Sequence, residues 1–126
     1  MPKFLKYLPA ESFDLVVSSM VLLYLDEKQL KKTLQNFYTW LKGGGMLFYL
    51  TTHPFKTNKI VTDYQIRGWR EILAPWGDMI TVFHRTVSDF INETLSAGFI
   101  LEIVDEPAFM PEAKSANPKE YQRYQL

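Results

Sequence analysis

His53 and His84 are the two histidines of this 126-residue chain, and imidazole is the side chain that titrates near neutral pH without assistance. His53 closes an apolar run at 46–52, a strand-end position from which a ring can take a proton from a hydroxyl or amine. The plainer alternative is a ring that orients the turn before Pro54. His84 and Arg85 stand just ahead of a helix start. There they touch a substrate, hold the preceding segment in place, or pair with an acidic residue. Two isolated histidines without ligand spacing make no metal site. The absence of cysteine excludes thiolate ligands, disulfides and a cysteine nucleophile. Gly43, Gly44 and Gly45 lead from a helical pattern into a strand pattern, whereas a nucleotide-binding glycine loop leads from strand into helix. They read as a helix stop, with Gly43 in the left-handed conformation.

The elements that must position these groups are legible in the hydrophobic period. Residues 13–19, Phe-Asp-Leu-Val-Val-Ser-Ser, form a β-branched run suited to a buried parallel strand. A helix over 26–41 follows, capped by Asp26 with Gln29 three residues on. Leu30, Leu34, Phe37 and Leu41 recur on one face of it. The run at 45–52 is a second strand, and strand–helix–strand with short joints is a βαβ unit with parallel strands. The stretch 53–83 is broken by Pro54, Gly68, Pro75 and Gly77, and reads as an insert of short helices or irregular chain. Thr86 and Asp89 open a helix over 86–97, a third strand follows at 99–105, and 107–126 is a polar tail with one short helix near 118–125. The fold class is α/β: a partial Rossmann-like β-α-β-(helical insert)-α-β arrangement in a single domain of mostly parallel strands.

Composition narrows the functional classes. Fourteen basic residues offset fourteen acidic ones, which argues against an electrostatic grip on nucleic acid. The longest apolar stretch, 16–25, falls far short of the roughly 20 residues that span a bilayer. No signal-peptide pattern opens the chain, and a cytoplasmic location with no membrane partner is the expectation. At 47% hydrophobic the chain can bury a core, yet three strands with open edges make a poor independent sheet.

Residues 12–25 (Ser-Phe-Asp-Leu-Val-Val-Ser-Ser-Met-Val-Leu-Leu-Tyr-Leu) resemble the fourth strand of class I S-adenosylmethionine-dependent methyltransferases. The resemblance continues through 37–48, where Leu41, Lys42 and the glycines precede a fifth strand. Residues 52–55 (Thr-His-Pro-Phe), 83–90 and 97–99 are similar to the corresponding parts of a broad group of small-molecule methyltransferases. The likeness covers about residues 12–107 and corresponds to the C-terminal half of such a domain. It implies S-adenosylmethionine as cofactor, with Ser18, Ser19 and Met20 beside its methionine part. It also implies His53 as the catalytic base, and Tyr24, Trp69 and His84 toward a small-molecule substrate. Leu23 departs from the histidine that relatives often carry there. Tyr64, Trp69 and Trp76 either form a substrate lid or pack the insert. The family's cofactor-binding glycine turn and acidic strand end are not among these residues.

Three readings follow. In the first, the chain belongs to a methyltransferase whose N-terminal half comes from a partner chain, a removed segment or a second copy. In the second, it is a non-catalytic remnant that serves as a dimerising or binding module. In the third, a dimer rebuilds a small-ligand pocket without methyl transfer. Under any of them the chain is expected to be a homo-oligomer or to bind a partner, paired along the open edge of the first strand or across a bare apolar face.

Overall fold

The computed structural model describes residues 8–57, 63–108 and 110–123. Strand β1 (Phe13–Ser19) and strand β2 (Leu41–Leu50) pair in parallel through helix α1 (Glu27–Trp40). A capping box starts α1: Asp26 Oδ1 accepts from Gln29 N–H at 2.7 Å, and the Gln29 side chain accepts from Asp26 N–H at 3.0 Å. These two bonds occupy donors that the helix itself leaves orphaned. The helix ends at Trp40, with Leu41 already extended at φ −76°, ψ 139°. The left-handed glycine is therefore Gly44, at φ +80°, and not Gly43 as expected. The glycines form an irregular bulge within β2, because the register passes from Phe13↔Leu41 directly to Leu15↔Met46.

Between β2 and the next helix the structure departs from the helical insert that the sequence suggests. Strands β3 (Gly68–Leu73) and β4 (Met79–His84) form an antiparallel hairpin, with Trp69 opposite Phe83 and Leu73 opposite Met79. Pro75 and Gly77 act as turn residues here. Gly77 N–H reaches Ala74 O at 2.9 Å, Ala74 N–H reaches Asp78 O at 2.8 Å, and Gly77 takes φ +99°. A three-residue hairpin loop closed by a left-handed glycine is a favoured connection. The flanking Ile72, Ile80 and Val82 alternate as strand residues do.

Helix α2 (Val87–Ser96) starts on a second capping box, Thr86 with Asp89. The third strand expected at 99–105 is not formed, since no described residue hydrogen-bonds to it in a ladder. Its β-propensity is high, but a strand exists only through its neighbours, and Ile100 and Ile103 are left 90% and 82% exposed. Two short helices, α3 (Ala113–Ala116) and α4 (Pro118–Arg123), close the tail.

The core lies on one face of the β1–β2 pair. Leu22, Leu30, Leu34 and Phe90 are buried together, with Leu47, Tyr49 and Phe37 packed against them. Each such side chain contributes on the order of 1.5–3 kcal/mol. Tyr49 O–H donates to Thr94 Oγ1 at 3.0 Å, because the Thr94 hydroxyl already donates to Phe90 O at 2.8 Å.

Arg85 is buried at 2% exposure and donates to Leu22 O at 3.1 Å and to Leu25 O. Its guanidinium lies 5.0 Å from the ring centres of both Phe83 and Phe90. The turn after β1 is thus fastened to the end of the hairpin and to α2. Arg85→Met keeps most of the stem's packing but strands two carbonyls. It should lower unfolding free energy by about 2–4 kcal/mol, measured by urea denaturation, and a loss below 1 kcal/mol would contradict this account.

Candidate functional site

The carboxyl ends of parallel strands are where ligands sit in α/β sheets, and here those ends are adjacent. Met20 follows β1 and its N–H donates to Leu50 O, the last residue of β2, at 2.9 Å. Met20 is held at φ 55°, a left-handed conformation that costs an L-residue about 1–2 kcal/mol. Its sulfur accepts a weak contact from the Thr52 hydroxyl at 4.0 Å. Beyond the rim lies an open hollow of about 2790 Å³, bordered by β2 from end to end, by 98–108 and by the hairpin tip. Ligand pockets run roughly 300–1,000 Å³, so this hollow is an uncovered side of the molecule rather than a fitted pocket.

Of the expected cofactor contacts, Met20 borders this hollow while Ser18 and Ser19 do not. Ser18 faces the helices and is buried, its hydroxyl without a hydrogen-bond partner, and the hydroxyl of Thr51 beyond β2 is likewise buried and orphaned. Ser19 lies on the opposite, exposed face.

His53 reaches the hollow, but both ring nitrogens are engaged. Nδ1 accepts from Phe55 N–H at 3.1 Å, which leaves Nε2–H to donate to Glu106 Oε1 at 2.7 Å. The ring can serve as a base only after releasing the Phe55 amide. Glu106, which sequence reasoning passed over, joins the end of 99–106 to the end of β2. The other end of that segment is held by Phe99, edge-on to Tyr38 at 5.3 Å.

Tyr24 lines the hollow; Trp69 and His84 do not. Trp69 stands on the outer face of the hairpin, edge-on to Phe83 at 5.2 Å. His84 is buried and donates from Nε2 to Tyr64 O at 2.8 Å. A crevice of about 10 Å³ opens beside His84 and Arg85, scarcely room for one water. Tyr64 also accepts from Val87 N–H through its hydroxyl at 2.9 Å. Arg67 grips both carboxylate oxygens of Asp89 at 2.9 and 3.0 Å. Together they sew the insert onto the start of α2. No local pattern announces these bonds, because the partners lie about 20 residues apart.

Residues 4–49 match the methyltransferase domain family. The fold resembles an S-adenosylmethionine-dependent methyltransferase of Mesorhizobium loti, with a TM-score of 0.73 and 25% identity over 92% of this chain. It also resembles a Listeria monocytogenes protein assigned to the same class, with a TM-score of 0.74 and 24% identity over 94% of this chain. No curated protein matches. Over residues 4–49 the chain is thus similar to a methyltransferase domain, and its fold is that of part of an S-adenosylmethionine-dependent methyltransferase. It spans 58% and 59% of those two proteins. Among the described residues, no helix is long and apolar enough to cross a membrane.

Burial disfavours the charged form of His84 and holds its pKa below the ordinary value, against the opposing pull of the Tyr64 carbonyl. Burial also works against the Asp89 charge, but the Arg67 side chain and the Thr86 amide and hydroxyl outweigh it, and the carboxyl titrates below its usual range. As pH falls below about 6.5 the unfolded chain binds a proton at His84 before the folded one does. Stability therefore declines from there until the folded histidine titrates. The Asp89 contribution is intact above about 4 and is lost as pH falls through its lower folded value. Urea midpoints from pH 8 to 3 should fall in these two stages, with the upper one absent in His84→Gln. A flat profile between pH 7 and 5 would exclude the histidine contribution.

The His53–Glu106 bond yields a second expectation. His53→Leu should speed proteolytic cleavage within 100–106 while leaving α1 intact, and an unaltered cleavage rate would show the segment to be held otherwise.

Proposed function

We propose that this chain forms the acceptor-side portion of an S-adenosylmethionine-dependent methyltransferase acting on a small molecule. The observation that carries the reading is the strained Met20 at the joined carboxyl ends of β1 and β2, in a chain with this fold. Strain of this kind persists where surrounding structure over-determines it, and it gathers at ligand sites. The orphaned hydroxyl of Thr51, a residue that borders the hollow, leaves polar capacity beside the same rim.

The residues present suit one end of the cofactor. Met20, with the backbone around it, would abut the methionine part. The glycine turn and the acidic residue that grip the rest would come from further polypeptide, on this chain or on a partner. When bound, the cofactor supplies an already activated methyl on a sulfonium, so the protein contributes mainly positioning and exclusion of water. Tyr24 borders the approach to that rim. His53 would accept the substrate's proton at Nδ1 once the Phe55 amide lets go. The engagement of both His53 nitrogens favours, as a second reading, a binding module that performs no transfer.

S-adenosylmethionine should bind the isolated chain no tighter than about millimolar, since several hydrogen bonds of roughly 0.5–1.5 kcal/mol are missing. Amide chemical shifts recorded with millimolar cofactor should move at Ser18–Met20 and 50–53 and hardly elsewhere. Shifts absent from that rim would overturn the assignment, and a micromolar dissociation constant would show that no further polypeptide is needed. Met20→Gly should raise the melting temperature, by relief worth up to about 1 kcal/mol, and weaken those shifts.

A further inference from the structure

His53 serves two parts of the fold from one ring. Nδ1 accepts from Phe55 N–H at 3.1 Å, and Nε2–H donates to Glu106 Oε1 at 2.7 Å. The first bond has a local cause. Residues 54–57 form one turn of 3-10 helix, and the first amides of a helical turn find no acceptor within it. Pro54 has no N–H to satisfy, so Phe55 carries the first orphan donor and the preceding ring caps it. Phe55 also lays its ring beside that of Tyr64, with centroids 5.3 Å apart. Tyr64 in turn accepts from Val87 N–H and from His84. The Nδ1 bond thus joins the end of β2 to the insert and, through Tyr64, to the start of α2. The Nε2 bond ties the end of 99–106 to the same strand end.

The two bonds ask different things of the ring. A neutral imidazole offers one donor and one acceptor, and Glu106 and Phe55 use both. An imidazolium offers two donors. A proton and the Phe55 amide therefore compete for one lone pair, and protonation at Nδ1 sets N–H against N–H. The bond to Glu106 survives that change and gains charge, as a cationic donor facing a carboxylate makes a stronger contact. Carboxylates stay ionised over the range in which imidazoles titrate. Among the described residues, Glu106 is the charged group in contact with the ring. The turn sets the uncharged Phe55 ring beside it, 6.1 Å between centroids, and Tyr64 lies behind Phe55. The His53 and Glu106 side chains are 37% and 58% exposed, so water screens the pair and keeps its gain small.

We propose that His53 is a proton-operated latch with opposite effects on the two segments it holds. Proton uptake releases the 54–57 turn and loosens its hold on Tyr64, while it fastens 99–106 more firmly to the end of β2. Loss of the proton reverses both. The proton comes from solvent, so the latch works without cofactor, acceptor or methyl transfer and stands apart from the function proposed above.

A nuclear magnetic resonance titration of the chain from pH 8.5 to 5 reads both arms. The Phe55 amide proton should move upfield with the same midpoint as the His53 ring protons. Heteronuclear NOEs at 103–106 should rise over the same interval. The ratio of bound to free should fall roughly two- to tenfold for the turn and rise by up to about fivefold for 103–106. His84→Gln removes the chain's other imidazole and should leave both responses in place. His53→Asn offers an acceptor near the Nδ1 position but does not reach Glu106. Its Phe55 amide should stay bonded at every pH, with 103–106 loose throughout. Glu106→Gln should keep the Phe55 movement and abolish the response at 103–106. A Phe55 amide that ignores the ring's titration would overturn the proposal. So would NOEs at 103–106 that fall as the ring gains its proton, or a Phe55 response that persists in His53→Asn.

Discussion

The burial of the Arg85 guanidinium constrains most of what surrounds it. Removing a charge from water is costly unless its donors find acceptors, and no carboxylate lies within an ion-pair distance among the described residues. The carbonyls of Leu22 and Leu25 take that place, flanked by the rings of Phe83 and Phe90. Burial lowers the Arg85 pKa, opposed by Asp89 and other nearby acids, yet a guanidinium remains charged under any physiological condition. The requirement for acceptors is therefore permanent. It fixes the turn after β1 against the hairpin and α2, and so fixes the direction in which the chain leaves Met20.

That fastening divides the molecule into a well-made half and an open one. On the helix side of the sheet, Leu22, Leu30, Leu34 and Phe90 close a core, and capping boxes start α1 and α2. On the other side, apolar strand residues face solvent, and beyond β2 the segment 99–106 is tied near its ends to Tyr38 and His53. The rim formed by Met20 and Leu50 lies at the boundary. It is anchored by the closed half and looks out over the open one.

His53 illustrates how little a residue's type says about its task. Placed at a strand end, the ring has the location of a base. Its hydrogen bonds give it the work of a clasp, with the tautomer set by Phe55 and the orientation by Glu106. His84 shows the same from the other direction, since its ring belongs to the packing beneath Tyr64 rather than to a ligand.

The sequence by itself determined the features whose causes are local. Asp26 with Gln29 and Thr86 with Asp89 start helices because each cap closes over three residues, and the βαβ unit follows from two apolar runs joined by short connections through a helix that returns the chain to the starting end of the sheet. The hairpin was also written locally, in the Pro75–Gly77 spacing between alternating apolar residues, though the same residues read equally well as helix breakers. Tertiary structure alone decided that 99–105 is unpaired, because strand formation depends on a neighbour and not on β-propensity. It alone placed Trp69 and His84 away from the hollow and revealed the left-handed Met20. It alone joined Arg85 to carbonyls 60 and 63 residues away. Contacts across such separations arise from the packing of whole elements, which no local pattern encodes.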